Sequence, residues 1–385
     1  MVEAGLDFPH AQKIRNWLFE TTLPWWAEHG VDREHGGFVE QITPQGQDAG
    51  IAFKRTRVTA RQIYVFAHGY ALGYSPGRDI AKSGFTYLTD RTWLGAEKGF
   101  ARRLTRAGEP LDLTPDLYDH AFVLFALAWF HKVNGDATSR DWMHRTLDYI
   151  EGHLRVRGGE GFWHELPATG WRQQNPHMHL TEACLAAYEA TGEARFSELA
   201  AELTQLFSRR FFDLGSQTLA EYFTNDLARA EGEDGRITEP GHQFEWSWIL
   251  NSCRKLFGLE LGPQIRALAG FAAKHGVDKE SGITFNTVRD DGVALDRASR
   301  TWPNTERIKA AIALYELDGA DPAPTVKSSC DILFGRYIGR TLPATWVDVV
   351  DASGAPVPGN APASTLYHVF LAFAEVLRVA GDQPA

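Results

Sequence analysis

The stretch EKGFARRLTRAGEPLDLTPDLYDHAFVLFALAWFH, residues 97–131, contains the structural unit that decides the fold. Its first half carries apolar residues in alternation and then a turn at Ala107 and Gly108, which predicts a short hairpin. Its second half is an apolar run, which predicts a helix over 116–133. The structural unit is therefore a hairpin-like connection followed by a helix.

This unit recurs six times along the chain. Markers in the six connections are about 60 residues apart, and they are Phe38, Phe100, Phe162, Leu219, Phe285 and Trp346. Helical patterns follow each connection in pairs, at roughly 8–29, 57–73, 76–91, 116–133, 136–154, 178–192, 194–209, 241–257, 260–275, 303–317, 322–337 and 362–379.

Six helical hairpins in series are compatible with an open solenoid or with a closed ring. A solenoid with so few repeats needs polar capping repeats, and the sequence shows none. The count of six and the long, uneven connections favour an all-α (α/α)6 barrel, with six inner and six outer helices and hairpin-like loops at one mouth. Because there is no linker and no break in composition, we expect a single catalytic domain over residues 1–385.

Composition narrows the class of protein but not its activity. The chain has 39 Lys and Arg against 49 Asp and Glu, a net charge of −10, which argues against a nucleic-acid partner. The longest apolar run, 121–130, is too short to cross a bilayer, and the start MVEAGLDFPHAQK has no apolar signal core. Three distant cysteines suit a reducing compartment. We therefore expect a cytoplasmic protein without a membrane partner, either monomer or homodimer.

Polar residues recur near the start of each helix that follows a long connection. Their successive separations are 59, 59, 63, 64 and 62 residues, and they are Arg61, His120, His179, His242, Glu306 and His368. In a closed ring the inner helices run parallel, so these side chains are expected to converge on one pocket. Any one of these histidines, taken alone, is more simply interpreted as a hydrogen-bonded core residue than as a pocket residue.

Spacing within two of these helices indicates imidazole–carboxylate pairs. Glu182 follows His179 by three residues, and Glu245 follows His242 by three residues, so each pair shares a helix face. A carboxylate in that position can orient an imidazole and raise its pKa. Trp302 precedes a helix-starting proline and is interpreted either as a core anchor or as a sugar platform.

No motif indicates a metal or an organic cofactor. The pair His177 and His179 has no third ligand at typical spacing, and there is no GxGxxG motif, Walker loop or GxSxG elbow. Several imidazoles, carboxylates and an arginine in a Trp-lined pocket instead suit proton transfer next to a carbonyl. An opened sugar supplies both the carbonyl and the acidic proton, so a small monosaccharide is the expected partner.

The chain resembles the N-acylglucosamine 2-epimerase superfamily, which includes aldose–ketose isomerases, D-mannose isomerases and cellobiose 2-epimerases. The resemblance rests on TARQIYVFAHGYALG, YDHAFVLFALAW, NPHMHLTEACLAAYEA, EPGHQFEWSWIL, TWPNTERIKA and TLYHVFLAFAEV. It implies an (α/α)6 barrel. It also implies acid/base roles for His242 and His368 and supporting roles for Glu245 and Glu306. The substrate-binding and pocket positions that it implies are Arg61, Asn175, His179, His120 and Trp302.

The expected reaction is the interconversion of D-mannose and D-fructose through a cis-enediolate, without a cofactor, and His368 is hypothesised to be the principal base. The alternative is a sugar 2-epimerase acting on mannose/glucose or on a disaccharide. A glycoside hydrolase and a non-catalytic binding module leave the histidine set unexplained. Some isomerases of the family carry Trp where this chain has Arg57. Arg57 is therefore interpreted as a sign of an acidic or phosphorylated sugar, or as a solvated charge.

Overall fold

The computed structural model describes residues 6–381, and the chain between them is mostly helical. Residues 1–5, part of the start interpreted as lacking a signal core, lie outside this range. Between residues 6 and 381 no helix combines the length and the apolar character that crossing a bilayer requires. All three cysteines, Cys184, Cys253 and Cys330, are buried and free.

Thirteen helical segments follow one another in residues 6–381. They are α1 (Ala11–Asn16), α2 (Leu23–His29), α3 (Thr56–Ala71), α4 (Gly77–Tyr87), α5 (Leu117–Asn134), α6 (Ala137–Tyr149), α7 (Asn175–Thr191), α8 (Ala194–Leu206), α9 (Pro240–Phe257), α10 (Gly262–His275), α11 (Thr301–Asp318), α12 (Ala323–Ile332) and α13 (Leu366–Val379). Helices α3, α5, α7, α9, α11 and α13 form the inner ring. The outer ring consists of α1 with α2, followed by α4, α6, α8, α10 and α12.

Five of the six outer positions in the described chain share a local feature that marks the repeat. A π-helical turn joins α1 to α2 at Trp17–Thr22, and similar turns extend α4, α6, α8 and α12 at Leu88–Thr92, Ile150–Leu154, Phe207–Phe211 and Leu333–Tyr337. Each connection then begins with an antiparallel pairing at a marker residue, such as Trp93 with Phe100. In the fifth connection the paired residue is Thr284, one position before the marker Phe285.

The long connections contain fourteen short strands. They are β1 (Gln41–Ile42), β2 (Phe53–Arg55), β3 (Arg103–Thr105), β4 (Pro110–Asp112), β5 (Arg172–Gln173), β6 (Phe212–Asp213), β7 (Thr218–Leu219), β8 (Tyr222–Phe223), β9 (Ile237–Thr238), β10 (Thr287–Arg289), β11 (Ala294–Asp296), β12 (Ser299–Arg300), β13 (Val349–Val350) and β14 (Ala361–Pro362). Short 3₁₀ turns lie at Asp234–Arg236 and Ala363–Thr365.

These strands link neighbouring connections into a ring around one mouth. Antiparallel pairs join β2 to β3, β5 to β8, β9 to β10, and β12 to β13. A bridge between Asp116 and Glu165 joins the second connection to the third. Strand β14 of the last connection pairs with β1 of the first, so the ring closes. The (α/α)6 barrel is therefore confirmed, and the solenoid alternative was wrong.

Apolar side chains pack between the two helical rings and hold the inner helices in place. Phe85 of α4 stacks on Phe130 of α5 with ring centroids 4.5 Å apart, and Phe207 packs on Trp246 of α9 at the same distance. The inner helices are buried on nearly every face, and in α5 this explains a sequence that is apolar around the whole helix. Their N-terminal ends are therefore fixed relative to one another at the mouth.

Candidate active site

An inner cavity of about 210 Å³ lies at this mouth, among the N-terminal ends of the inner helices. All six inner helices contribute side chains to it. The predicted residues that line it are Arg61, Asn175, His179, His242, Glu245, Trp302 and His368. The structure thus brings seven of the nine predicted site residues together around one space, while Glu306 lies immediately behind His368.

His368 is held by a buried ion pair on α11. Its Nδ1 donates to Oε1 of Glu306 at 2.9 Å, and the Lys309 ammonium lies 2.5 Å from Oε2 of the same carboxylate. Glu306 and Lys309 are both fully buried. Burial raises the pKa of Glu306, and the ion pair with Lys309 opposes that rise. Because Nδ1 is engaged, Nε2 is the nitrogen of His368 that is free for a substrate.

His242 is held by a different carboxylate from the one that the spacing indicated. Its Nδ1 donates to Oε2 of Glu221 at 2.9 Å. Gln174 fixes this carboxylate by donating to Oε2 at 2.8 Å, while the indole of Trp246 donates to the Gln174 amide oxygen at 2.6 Å. Glu221 also accepts the backbone N–H of Glu239 at 3.0 Å. This buried chain orients His242 and leaves its Nε2 free.

The prediction that Glu245 orients His242 is therefore wrong. Both carboxylate oxygens of Glu245 are buried, and neither makes a hydrogen bond to a described residue. Its nearest cation is Lys309, at 3.6 Å. The reason is geometric: Glu221 reaches Nδ1 from the rim of the mouth, whereas Glu245 lines the inner cavity itself. Glu245 is thus an acceptor that a substrate hydroxyl can reach.

The environments of His242 and His368 drive their pKa values in opposite directions. Burial lowers the pKa of His368 well below its usual value, and the charges of Arg61 and Lys309 lower it further. Burial also disfavours the charged form of His242, but the carboxylates of Glu221, Glu239 and Glu245 outweigh it and raise its pKa to about 10. At neutral pH His368 is therefore a neutral imidazole and His242 an imidazolium. Titratable groups separated in this way are suited to opposite acid/base roles.

Trp302 lies between these two histidines. Its ring centroid is 5.0 Å from that of His242 and 5.4 Å from that of His368. A methyl group at Gly241 would come within 2.4 Å of the Trp302 ring, so only glycine lets the indole lie this close to α9. The indole is thus held as a flat apolar floor between an acid and a base, the arrangement expected of a sugar platform.

His179 and Glu182 form the pair that their spacing indicated. Nδ1 of His179 lies 3.0 Å from Oε2 of Glu182, and the Tyr367 hydroxyl donates to the same carboxylate at 2.7 Å. Burial lowers the pKa of His179 to about 3, so its ring is neutral at physiological pH. A neutral ring held at Nδ1 presents Nε2 to the cavity for a hydrogen bond.

Arg61 is fixed at the boundary of the cavity. Its guanidinium donates to the Ser364 carbonyl at 3.2 Å and to the Tyr118 hydroxyl at 2.6 Å, and it stacks on Phe122 at 4.1 Å. The side chain is 6% exposed, so its charge is only weakly screened by solvent. Its fixed positive charge can attract an oxyanion that develops in this cavity.

His120 does not reach the cavity, and its assignment as a pocket residue was wrong. Its Nδ1 donates to the Asp116 carbonyl at 2.7 Å, and its Nε2 accepts the backbone N–H of Phe100 at 3.1 Å. His177 makes equivalent bonds, to the Gln173 carbonyl and from the N–H of Phe162. His120 therefore corresponds to His177 rather than to His179, and it fastens a connection to its helix.

A two-residue error in register explains this outcome. If His120 is aligned with His177, Tyr118 is aligned with Asn175, and both of these residues line the cavity. The H-x-H pattern of NPHMH carried the signal, because its first histidine belongs to the structural series. Lys309 was also detectable, since it follows Glu306 by three residues. Glu221, Arg300 and Asp348 lie in connections, where no periodicity marks them.

Within residues 6–381, three groups of ligand atoms are spaced so that they could hold a metal ion, with all atoms of a group within 4.8 Å of one another. They are His179 with Glu182 and Glu245, Glu221 with Glu239 and His242, and Glu245 with Glu306 and His368. Two of these groups have an internal cation that opposes a metal. Lys309 sits against Glu306, and the pKa of His242 keeps that imidazole protonated. The absence of a metal stays a prediction, to be tested by chelation.

Comparison with known proteins agrees with this geometry. The family model described as N-acylglucosamine 2-epimerase matches residues 36–372. The chain is 35% identical to a mannose-6-phosphate isomerase of Rhizobium meliloti, over 97% of this chain and 98% of that protein. It is 24% identical to a cellobiose 2-epimerase of Bacteroides fragilis, over 89% and 92% of the two chains. A crystal structure of D-mannose isomerase superposes with a TM-score of 0.87 at 24% identity, covering 95% and 97%.

Proposed function

This chain belongs to the N-acylglucosamine 2-epimerase family, and we propose that it is an aldose–ketose isomerase for a mannose-type hexose. The observation that carries the proposal is the pair of imidazoles on the two sides of Trp302, one neutral and one charged. The name of the Rhizobium meliloti relative supports an isomerase, and the wider family supports chemistry at carbon 2 of a sugar.

In this proposal His368 is the base. Its neutral Nε2 removes the proton from carbon 2 of the opened aldose, and the electrons form a cis-enediolate with the former carbonyl oxygen. Glu306 accepts the Nδ1–H, so it stabilises the imidazolium that forms. The same imidazole returns the proton to carbon 1 while the hydroxyl proton of oxygen 2 passes to oxygen 1, and the product is the ketose. A base with a depressed pKa is available over the whole neutral range.

His242 is the acid in this proposal. As an imidazolium it donates a hydrogen bond from Nε2 to the oxygen on which negative charge develops, and Arg61 adds a fixed charge nearby. Glu221 maintains this protonated state from the opposite ring nitrogen. The two roles follow from the two carboxylate partners, because Glu306 is offset by Lys309, while among residues 6–381 no lysine or arginine pairs with Glu221.

The remaining polar groups are proposed to position the sugar. The amide oxygen of Asn175 and both oxygens of Glu245 are buried without a hydrogen-bond partner among residues 6–381. Sugar hydroxyls are the natural donors for such acceptors, since an unpaired buried acceptor is costly. His179 and Arg61 complete the set of groups that can hold the hydroxyls of an open-chain hexose.

The test is NMR of D-mannose and D-mannose 6-phosphate incubated in D₂O with the purified, EDTA-treated protein. The proposal predicts the matching ketose, with deuterium at carbon 1. Ketose formation that requires an added divalent metal would contradict the metal-independent mechanism. Absence of exchange with these and with other free aldoses would contradict the isomerase function.

A 2-epimerase is the second candidate, and one observation favours it. Because His242 is protonated and lies across Trp302 from His368, it could deliver a proton to the opposite face of carbon 2. The 24% identity to a cellobiose 2-epimerase agrees with that alternative. The same experiment separates the two reactions, since an epimerase gives the C2 epimer with deuterium at carbon 2 and little ketose.

A glycoside hydrolase is less compatible with the site. That reaction needs one carboxylic acid and a second carboxylate flanking the bond. Both oxygens of Glu306 are occupied, by His368 and by Lys309. A non-catalytic binding module has no need for one imidazole with a raised pKa and another with a lowered pKa. The D₂O experiment addresses both alternatives, because neither a hydrolase nor a binding module exchanges carbon-bound hydrogen.

A further inference from the structure

A second, outer cavity of about 460 Å³ opens directly from the inner one. The two cavities share Arg61, Tyr118, Asn175 and Ser364, so a ligand can extend from one into the other. Trp302 lines the inner cavity and not the outer one. A sugar whose carbonyl end reacts over Trp302 therefore directs its far end toward the outer cavity.

Four arginines line this outer cavity, and they come from two separate segments of the chain. Arg55 ends β2, Arg57 and Arg61 lie in the first two turns of α3, and Arg102 immediately precedes β3. Two carboxylates, Asp116 and Glu165, share the lining. Guanidinium groups therefore outnumber the carboxylates in the wall by two to one, in a chain whose overall net charge is −10.

Ion pairs hold the Nε edge of the guanidinium in Arg55, Arg57 and Arg102. They leave most of the Nη groups of these three residues available to a ligand. The Nε of Arg55 pairs with Glu40 at 2.7 Å, that of Arg57 with Asp119 at 3.1 Å, and that of Arg102 with Asp116 at 3.3 Å. Within residues 6–381, neither Nη of Arg55 or Arg57 donates a hydrogen bond. The same holds for Nη2 of Arg102, whose Nη1 donates to Glu165.

Asp119, which pairs with Arg57, loses part of its negative charge near neutral pH. Burial raises its pKa to about 7, and the neighbouring Asp116 contributes to that rise. The positive charge of Arg57 is consequently less compensated than the ion-pair distance alone indicates. Arg57 also lies over the Tyr118 ring at 5.3 Å, which fixes its plane at the junction of the two cavities.

The lining is unsuited to a second sugar ring and suited to an anion. Among the described residues Tyr118 is the one Phe, Tyr or Trp in the outer wall, whereas a disaccharide would be expected to stack on wider aromatic surfaces. Several guanidinium forks converging from different segments match the charge and the several acceptor oxygens of a phosphate. A carboxylate carries less charge and fewer acceptors.

We propose that the outer cavity binds the phosphate of a hexose phosphorylated at the carbon farthest from its carbonyl, through Arg55, Arg57 and Arg102. The proposal rests on the isomerase function, because that reaction needs a free carbonyl end and so places the phosphate at carbon 6. The substrate class is then an aldose 6-phosphate and its ketose isomer.

The test compares kcat/KM for D-mannose, D-mannuronate and D-mannose 6-phosphate at low ionic strength. We expect the phosphate to be preferred over mannose by about tenfold or more, the size expected for hydrogen bonds to a charged group. Arg57→Gln should reduce that preference by about tenfold, mainly through KM. Arg103→Gln is the matched control, since Arg103 lies next to Arg102 but outside the cavity lining; it should leave the preference unchanged.

The outcomes separate this inference from the proposed function. Equal turnover of mannose and its 6-phosphate, or a preference for mannuronate, would overturn the phosphate site and leave the isomerase intact. If no sugar is turned over, inorganic phosphate is titrated by calorimetry; binding that Arg57→Gln weakens would still support the site, and no binding would overturn it. Arg55→Gln is the second variant if Arg57→Gln does not give the wild-type circular dichroism spectrum.

Discussion

Replacing Glu221 with glutamine tests whether this carboxylate keeps His242 protonated. The substitution keeps the shape and the acceptor oxygen of the side chain but removes its charge. Glu221 is 2.9 Å from Nδ1 of His242, whereas Glu239 is 4.0 Å away. Because Coulomb energy falls with distance, Glu221 should contribute more than Glu239 to the raised pKa.

The size of the effect follows from the pKa of His242, which is about 10 in the intact site. Loss of one adjacent opposite charge moves a pKa by about one to three units. The acid form of His242 is present below its pKa and is lost above it. Glu221→Gln should therefore move the alkaline limb of the kcat/KM profile from near pH 10 down by about one to three pH units.

The assay is the initial rate of aldose-to-ketose conversion between pH 5 and pH 11 for wild type, Glu221→Gln and Glu239→Gln. We expect a large shift for the first variant and a smaller one for the second. The acid limb should stay well below pH 6.5 in all three proteins, because His368 is neutral down to that region. An alkaline limb that does not move in Glu221→Gln would refute the role of this carboxylate.

Three further substitutions have distinct expected results. His368→Ala should lower the rate of deuterium exchange by about 10²–10⁴-fold; near wild-type turnover would reject it as the base. His120→Ala leaves the N–H of Phe100 unpaired and should cost about 2–4 kcal/mol in urea unfolding, with kcat changed little; a lost kcat in folded protein would instead return His120 to the site. Lys309→Met removes the partner of Glu306 and should destabilise the fold by about 3–5 kcal/mol; unchanged stability would show that the buried carboxylates do not need this cation.

The fold was largely predictable because its signal is repeated. A pair of helical patterns and a long connection recur six times along the chain. An error at the boundary of one element therefore does not change the number of repeats. The predicted helix 116–133 is α5 at Leu117–Asn134, a difference of one residue. Closure of the ring was less accessible, since it depends on β14 pairing with β1, two segments more than 300 residues apart in the sequence.

The candidate site was predictable where it depends on helix spacing and unpredictable where it depends on connections. His179 with Glu182 follows from the three-residue rule, and Glu306 with Lys309 obeys the same rule. The partner of His242 was wrong because Glu221 comes from a connection whose path no local pattern specifies. Its contact with His242 exists only once strands β8 and β9 have been placed at the rim.

The central claim is that, at neutral pH, His242 is a positively charged imidazolium while His368 in the same cavity is a neutral imidazole. It is tested most directly by NMR titration of ¹⁵N-histidine protein, with His242→Gln and His368→Gln used to assign the two rings. We predict that at pH 7.5 His242 shows two protonated nitrogens, while His368 shows the pattern of a neutral ring protonated at Nδ1. His242 neutral or His368 charged at that pH would contradict the proposed division between acid and base.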